Sequence, residues 1–310
     1  MLRLLIVLLA WVVTPVYAAG QLAAGGPKAV LVTGASTGIG RKITERLAAN
    51  GYLVYAGARK DADLKALGAI KNVQPLKLDV TSAEDIASAV QTIRKGGGLY
   101  GLVNNAGVAA GSLFVDMKRS EFDLVMAVNV TAVVTVTQAF LPLIMESKGR
   151  VTTIGSISGI LASPTLTAYS MSKHAMEAFT DSLAQQMEPL GVIVNIVEPG
   201  NYNSALASNA AQRLGADAKA VPAGAYQLKA DRSNYKEPDE VAVAVEKALF
   251  EPNPKRRNMV VPNQQEADIT IRRQILQLVQ LNEDQAYTYD REALVKMLDE
   301  ALAKARPQKP

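Results

Sequence analysis

The strongest constraint in this chain is a rhythm. From Pro27 onward, short β-branched and apolar runs alternate with amphipathic stretches of helical period. Residues 29–33 read as a first strand that runs into glycines, 41–50 as a helix and 53–56 as a second strand. Residues 73–78, 101–103, 150–154 and 192–197 continue the strand series, and 259–261 closes it. Strict alternation of strand and helix implies right-handed crossovers and a parallel sheet covered on both faces. The predicted architecture is therefore α/β, a doubly wound parallel sheet in one domain over residues 27–262. With 310 residues, 49% of them hydrophobic, the chain can build one such domain and still carry appendages.

Three segments fall outside the rhythm. In residues 1–26, Arg3 precedes an unbroken apolar run over 4–13, Pro15 breaks it, and Val16-Tyr17-Ala18 offers a small-residue cleavage pattern before a Gly/Ala linker over 20–26. This reads as a secretory signal peptide. The competing reading is an uncleaved membrane anchor, because the apolar stretch nearly reaches the ~17 to 25 residues a span needs. The first reading points to a secreted or periplasmic protein, the second to membrane association. Residues 201–236, rich in Ala, Asn, Gly and Lys, follow the sixth strand, where they read as a lid over a pocket or as a surface insertion. The C-terminal extension over 263–310 contains two helices within 266–304 and a Pro-rich tip. Ile269, Ile271, Ile275, Leu276, Leu278 and Leu281 form an apolar stripe there, expected to pack against the main domain, with a partner or membrane surface as the alternative.

Composition removes several functions. With no cysteine and a single histidine, the chain cannot assemble a typical Cys/His zinc site, so no metal ligands are assigned. The 33 basic and 29 acidic residues are interspersed, and the longest basic run is Lys255-Arg256-Arg257, which leaves no nucleic-acid footprint.

The turn after the first strand reads Thr33-Gly34-Ala35-Ser36-Thr37-Gly38-Ile39-Gly40. Glycines there permit a tight turn and close approach of backbone amides to a pyrophosphate, at the positive end of the following helix. The same stretch contains a literal G-x-S-x-G around Ser36, the form of a hydrolase nucleophile elbow. That chemistry needs a late loop histidine, and the only one, His174, falls inside a predicted helix beside Lys173. The hydrolase reading is set aside.

Further along, Tyr169-Ser170-Met171-Ser172-Lys173 places a phenol and an ammonium at i and i+4, on one helix face. A phenol with a pKa of ~10 is a poor acid or base near neutrality unless a nearby cation lowers it. Lys173 is the group that would do so. Tyr169 would then exchange a proton with a substrate oxygen, and Ser156, on the turn after the fifth strand, would hydrogen-bond that same oxygen.

These motifs together resemble the short-chain dehydrogenase/reductase family over about residues 28 to 262. T-G-x-x-x-G-I-G resembles its cofactor fingerprint, Asn104-Asn105-Ala106-Gly107 its N-N-A-G, and Ser156 keeps the family's spacing of about thirteen positions to the tyrosine. The resemblance implies a Rossmann fold, a nicotinamide dinucleotide, and a homodimer or tetramer formed through the helix carrying Tyr169. It implies that Gly34, Ser36, Thr37, Gly38, Ile39 and Gly40 line the diphosphate and ribose. Asp79 and Val80 would then hold the adenine, while Asn105, Ala106 and Gly107 support the cofactor side of the sheet. Pro199, Gly200, Tyr202 and Ser204 would meet the nicotinamide, beside Tyr169 and Lys173. Asn129 would hold a water connected to Lys173. The family's usual threonine after P-G is here Ser204, and Asn201 and Asn203 are unusual. The Val197-Glu198-Pro199-Gly200 stretch and Val54-Tyr55-Ala56 are similar to the retinol and hydroxysteroid dehydrogenase branches, which points to a bulky apolar alcohol or ketone.

At the end of the second strand the chain runs on from Ala56 through Gly57, Ala58, Arg59 and Lys60, with no acid at Ala58 to bind a ribose 2′-hydroxyl. Arg59 can pair with a 2′-phosphate, so NADP is expected ahead of NAD. The function expected is NADP(H)-dependent interconversion of an alcohol and a carbonyl. The alternative is a dinucleotide-binding sensor or scaffold without turnover.

Overall fold

The computed structural model describes residues 28–214, 229 and 231–305. The N-terminal segment read as a signal or anchor, the centre of the candidate lid and the Pro-rich tip lie outside the described residues. Seven strands form one parallel sheet: β1 (Ala29–Val32), β2 (Leu53–Ala58), β3 (Val73–Lys77), β4 (Gly101–Asn104), β5 (Arg150–Ile154), β6 (Ile193–Pro199) and β7 (Arg257–Val260). Each begins and ends within two residues of its expected bounds. The spatial order is β3-β2-β1-β4-β5-β6-β7, with Val30 in register with Val54 on one side and with Gly101 on the other. The chain reverses its direction of travel across the sheet between β1 and β4, which opens a crevice at the carboxyl ends of those strands.

Side-chain alternation along the central strands feeds two cores. Val30 and Val32 of β1 pack with Ile43 and Leu47 of α1 (Gly38–Ala49) and with Val245 and Leu249 of α8 (Asp239–Phe250) on one face. Leu31 packs on the other face with α3 (Ala83–Lys95), α5 (Ala132–Glu146) and α6 (Thr167–Met187), through Ile93, Phe140 and Met187. A strand buried on both faces must be apolar at every position, which is why β1 reads as a continuous run rather than an alternating one. Helices α2 (Asp61–Gly68), α4 (Arg119–Met126) and α7 (Leu206–Leu214) complete the main body. A π-type turn, Ala127–Thr131, joins α4 to α5.

The C-terminal helices form as expected, α9 over Gln264–Asn282 and α10 over Arg291–Ala305, but the packing expected of the apolar stripe is overturned. Ile275 is 55% exposed and Leu281 78%, with Ile269, Ile271, Leu276 and Leu278 also exposed. The reason is polar. Glu266 of α9 accepts the backbone N–H of Asn201 at 2.9 Å, and Thr270, one turn on, is fully buried and bonds back to the Glu266 carbonyl. Seating that row against the body turns the apolar row outward.

Candidate active site

One cleft of about 790 Å³ runs along the carboxyl ends of the strands and takes in the glycine loop, the N-N-A-G turn, Tyr169 and Lys173. At its first end, Gly34 and Gly38 adopt left-handed backbone, φ +64° and +54°. A Cβ on Gly34 would lie 2.8 Å from the Cα of Ala106, so the two loops touch through backbone. Thr33 locks them together: its Oγ1 accepts the N–H groups of Asn105 and Ala106, each at 3.0 Å. In return the Asn105 amide donates to the carbonyls of Thr33 and Gly34.

The helix that follows is left open to an anion. At the start of α3, Ser82 accepts the N–H of Asp85, and two acids occupy the first turn. At the start of α1, by contrast, Thr37 makes no side-chain cap and the first turn holds no acid. The first turn of α1 therefore carries neither a side-chain cap nor an acid, in a cleft lined by Ser36, Thr37, Gly38 and Ile39.

Beyond β2 and β3, Arg59, Asp79 and Val80 line the same cleft. Arg59 Nη1 lies 3.8 Å from Asp79 Oδ2, and its side chain is 70% exposed, free to turn toward a ligand. Partial burial pushes the Asp79 carboxyl up. Hydrogen bonds from the Thr81 hydroxyl and amide, with the Arg59 charge, outweigh that and hold it below the usual carboxylate value.

At the other end, α6 presents Tyr169 and Lys173 on one buried face, with the Lys173 Nζ 5.6 Å from the Tyr169 ring centre. Lys173 donates to the carbonyl of Ile154 at 2.8 Å, and burial pushes its ammonium down to about 8, against an opposing pull from the Glu177 charge. Ser156 Oγ accepts the Ser158 N–H at 3.1 Å, which leaves its own proton to donate into the cleft. Asn129, in the π-type turn, exchanges both amide contacts with Val108 and donates to Ser172 Oγ at 3.0 Å. Ser172 in turn donates to the Tyr169 carbonyl at 2.7 Å.

Pro199, Gly200, Tyr202 and Ser204 border the cleft after β6. The Tyr202 hydroxyl donates to Glu240, and burial raises its pKa. The cleft also gathers groups that sequence patterns did not mark: Leu161, Leu166, Leu206 and Ile269 line it together with Arg232 and Arg273. No spacing rule could find Arg232 or Arg273, since they come from loop and extension rather than from a repeated motif. Glu177 was detectable, standing at i+4 from Lys173 and i+8 from Tyr169.

A doubly wound sheet with a glycine-rich first turn, an open helix terminus and a buried tyrosine–lysine pair defines a dinucleotide-fold protein of the Rossmann class. The short chain dehydrogenase family profile matches residues 28–215, and the chain belongs to that family. It is 37% identical over 212 residues to the mitochondrial D-beta-hydroxybutyrate dehydrogenase of Mus musculus, covering 65% of this chain and 62% of that one. The chain thus spans about six-tenths of the length of the curated relatives it matches. Among solved structures, a short-chain dehydrogenase from Streptomyces avermitilis superposes with a TM-score of 0.69 at 28% identity, over 83% of this chain and 96% of that one. A variant actinorhodin polyketide ketoreductase with NADPH superposes with a TM-score of 0.66 at 25% identity, over 76% and 95%.

Proposed function

We propose that this chain is an oxidoreductase that interconverts an alcohol and a carbonyl with NADP(H). The observation that carries the reading is the buried face of α6, where Tyr169 and Lys173 meet the Ser156 turn inside a cleft that begins at the glycine loop. The cradle fits a dinucleotide. Its backbone at Gly34 and Gly38 excludes larger residues, and the first turn of α1 offers amides without a side-chain cap. Gly34, Ser36, Thr37, Gly38, Ile39 and Gly40 would hold the diphosphate, Asp79 and Val80 the adenine, and Arg59 a 2′-phosphate. Asn105, Ala106 and Gly107 with Pro199, Gly200, Tyr202 and Ser204 would border the nicotinamide end. When bound, the dinucleotide supplies a hydride to the substrate carbon or accepts one from it.

The chain's own residues manage the oxygen. In the reducing direction Tyr169 gives its phenolic proton to the substrate oxygen and is left as a phenolate beside Lys173, whose charge makes that transfer favourable. Ser156 donates a hydrogen bond to the same oxygen as charge develops there. Asn129 would hold a water connected to Lys173, its side-chain amide being fixed in place by Val108 and Ser172. Leu161, Leu166, Leu206 and Ile269 would take an apolar body, while Arg232 and Arg273 suit a polar or acidic end. That combination accommodates the apolar compounds expected from sequence and also a hydroxy acid of the kind named for the mouse relative.

The decisive experiment follows NADPH consumption by the purified chain across a panel of ketones and keto acids, with Tyr169→Phe alongside. Turnover that falls about 10²- to 10⁴-fold in the variant supports the reading. Turnover that survives in Tyr169→Phe, or none in the wild type with any carbonyl, defeats it.

A further inference from the structure

Behind the reacting groups lies a cluster that this chemistry does not use. Glu177 stands one turn beyond Lys173 on α6, and Glu198 beside it on β6 is 2% exposed. Their carboxyls lie within hydrogen-bonding reach of each other. Arg257 of β7 serves both: its Nε lies 3.0 Å from Glu177 Oε2 and 3.9 Å from Glu198 Oε1. Its Nη2, however, is given to Asp181 at 2.6 Å. One guanidinium is thus shared among three carboxyls.

Two oxygens in the cluster have no fixed donor. Glu177 Oε1 and Glu198 Oε1 are both closed off from solvent, and neither receives a hydrogen bond from the surrounding protein. Two ionised carboxylates side by side in that environment repel one another, and each loses its hydration. A single proton held by the pair removes one of the two charges and gives the pair a hydrogen-bond donor of its own. Arg257 hydrogen-bonds Glu177 at 3.0 Å but stands 3.9 Å from Glu198, which is also the more deeply buried of the two, so Glu198 is the member that carries the proton; burial, with the Glu177 charge beside it, pushes its carboxyl up.

The position of Glu177 gives this pair a consequence. A Cβ on Gly155 would lie 3.4 Å from Glu177 Oε1 and one on Gly159 3.0 Å, so the carboxyl is wedged against the turn that carries Ser156. The charged and titratable groups facing the pair are Lys173 and Asp181 on α6 and Arg257 on β7, whereas the Gly155–Gly159 turn contributes none. Resting on the reading of Lys173 as the cation that activates Tyr169, we propose that Glu177 is a positioning residue. As the carboxylate half of a one-proton pair with Glu198, it braces α6 against the Ser156 turn and keeps Lys173 charged.

Infrared difference spectra of the full chain at neutral pH test the shared proton, and a protonated-carboxyl band is expected in the wild type that disappears in Glu198→Gln. The pH profile of carbonyl reduction tests the link to Lys173. In Glu177→Gln the alkaline limb of kcat is expected to move about one unit toward lower pH, and Glu177→Asp, which keeps the charge, should restore it. A purely structural glutamate would lower the melting temperature in both variants and leave the limb in place. Absence of the infrared band, or a limb that stays put in Glu177→Gln, overturns the proposal. A wild type without turnover sinks the catalytic reading and the Lys173 half of the proposal with it, while the infrared band still decides the shared proton.

Discussion

The ammonium of Lys173 donates to the carbonyl of Ile154 at 2.8 Å, tying the middle of α6 to the last residue of β5. Ser156 follows two residues later, so this one bond sets the relation between the helix that carries the phenol and the turn that carries the hydroxyl. The cost is a buried cation, and the groups around it decide how far that cation can hold its proton.

Stability should therefore depend on pH through two groups with opposite signs. Glu198 is raised from 4.5 to about 8, so the stabilisation its protonated form provides is complete below pH 4.5 and is lost as pH rises toward 8. Lys173 is lowered from 10.5 to about 8, so its contribution is present above 10.5 and is lost as pH falls toward 8. The two together place a minimum near pH 8. Denaturant melts between about pH 5 and 8 should lose on the order of 3 kcal/mol in the wild type and much less in Glu198→Gln. An equal loss in both would remove Glu198 as the cause.

Arg59→Ala should weaken NADPH binding about 10- to 100-fold and leave NADH binding nearly unchanged, the difference expected for one charge-assisted contact with a phosphate. Fluorescence titration of both nucleotides reads this directly. Equal losses for the two would assign Arg59 to the Asp79 ion pair alone.

Gly34→Val forces a branched side chain into φ +64° and against the Ala106 backbone at 2.8 Å. Left-handed backbone alone costs about 1 to 2 kcal/mol, and the two loops must separate as well. Thermal unfolding should shift downward and nucleotide titration should flatten, whereas unchanged binding would show that the loop contact is dispensable.

Because α9 faces the body with Glu266 and Thr270, Leu278→Lys and Ile275→Lys should change unfolding free energy by only about 0.5 kcal/mol. Glu266→Ala should cost more, through loss of its bond to the Asn201 amide. A large loss in either lysine variant would mean that the apolar row is covered by something in solution.

How far a feature was legible depended on whether its cause was local. The strand order of types, the glycine turn and the spacing of Tyr169 to Lys173 are properties of neighbours in the chain, since backbone conformation and helical period act over a few residues. They are legible in the chain alone. Strand ends shifted slightly, because hydrogen bonding to the adjacent strand extends β2 to Ala58 and β6 to Pro199. The outward stripe of α9 ran against its periodicity, which shows that a helix has an apolar face but not which surface meets it.

By itself the sequence determined the doubly wound fold, the family and the two ends of the cleft, because each is written in short motifs with their own conformational requirements. Tertiary structure alone decided that Arg232 and Arg273 border the cleft, that Glu266 rather than Ile275 seats α9, and that Glu177 and Glu198 meet beneath Lys173. Those relations join residues from separate strands, helices and loops, and the burial and unmet hydrogen bonds that give them meaning exist only once the sheet has closed around them.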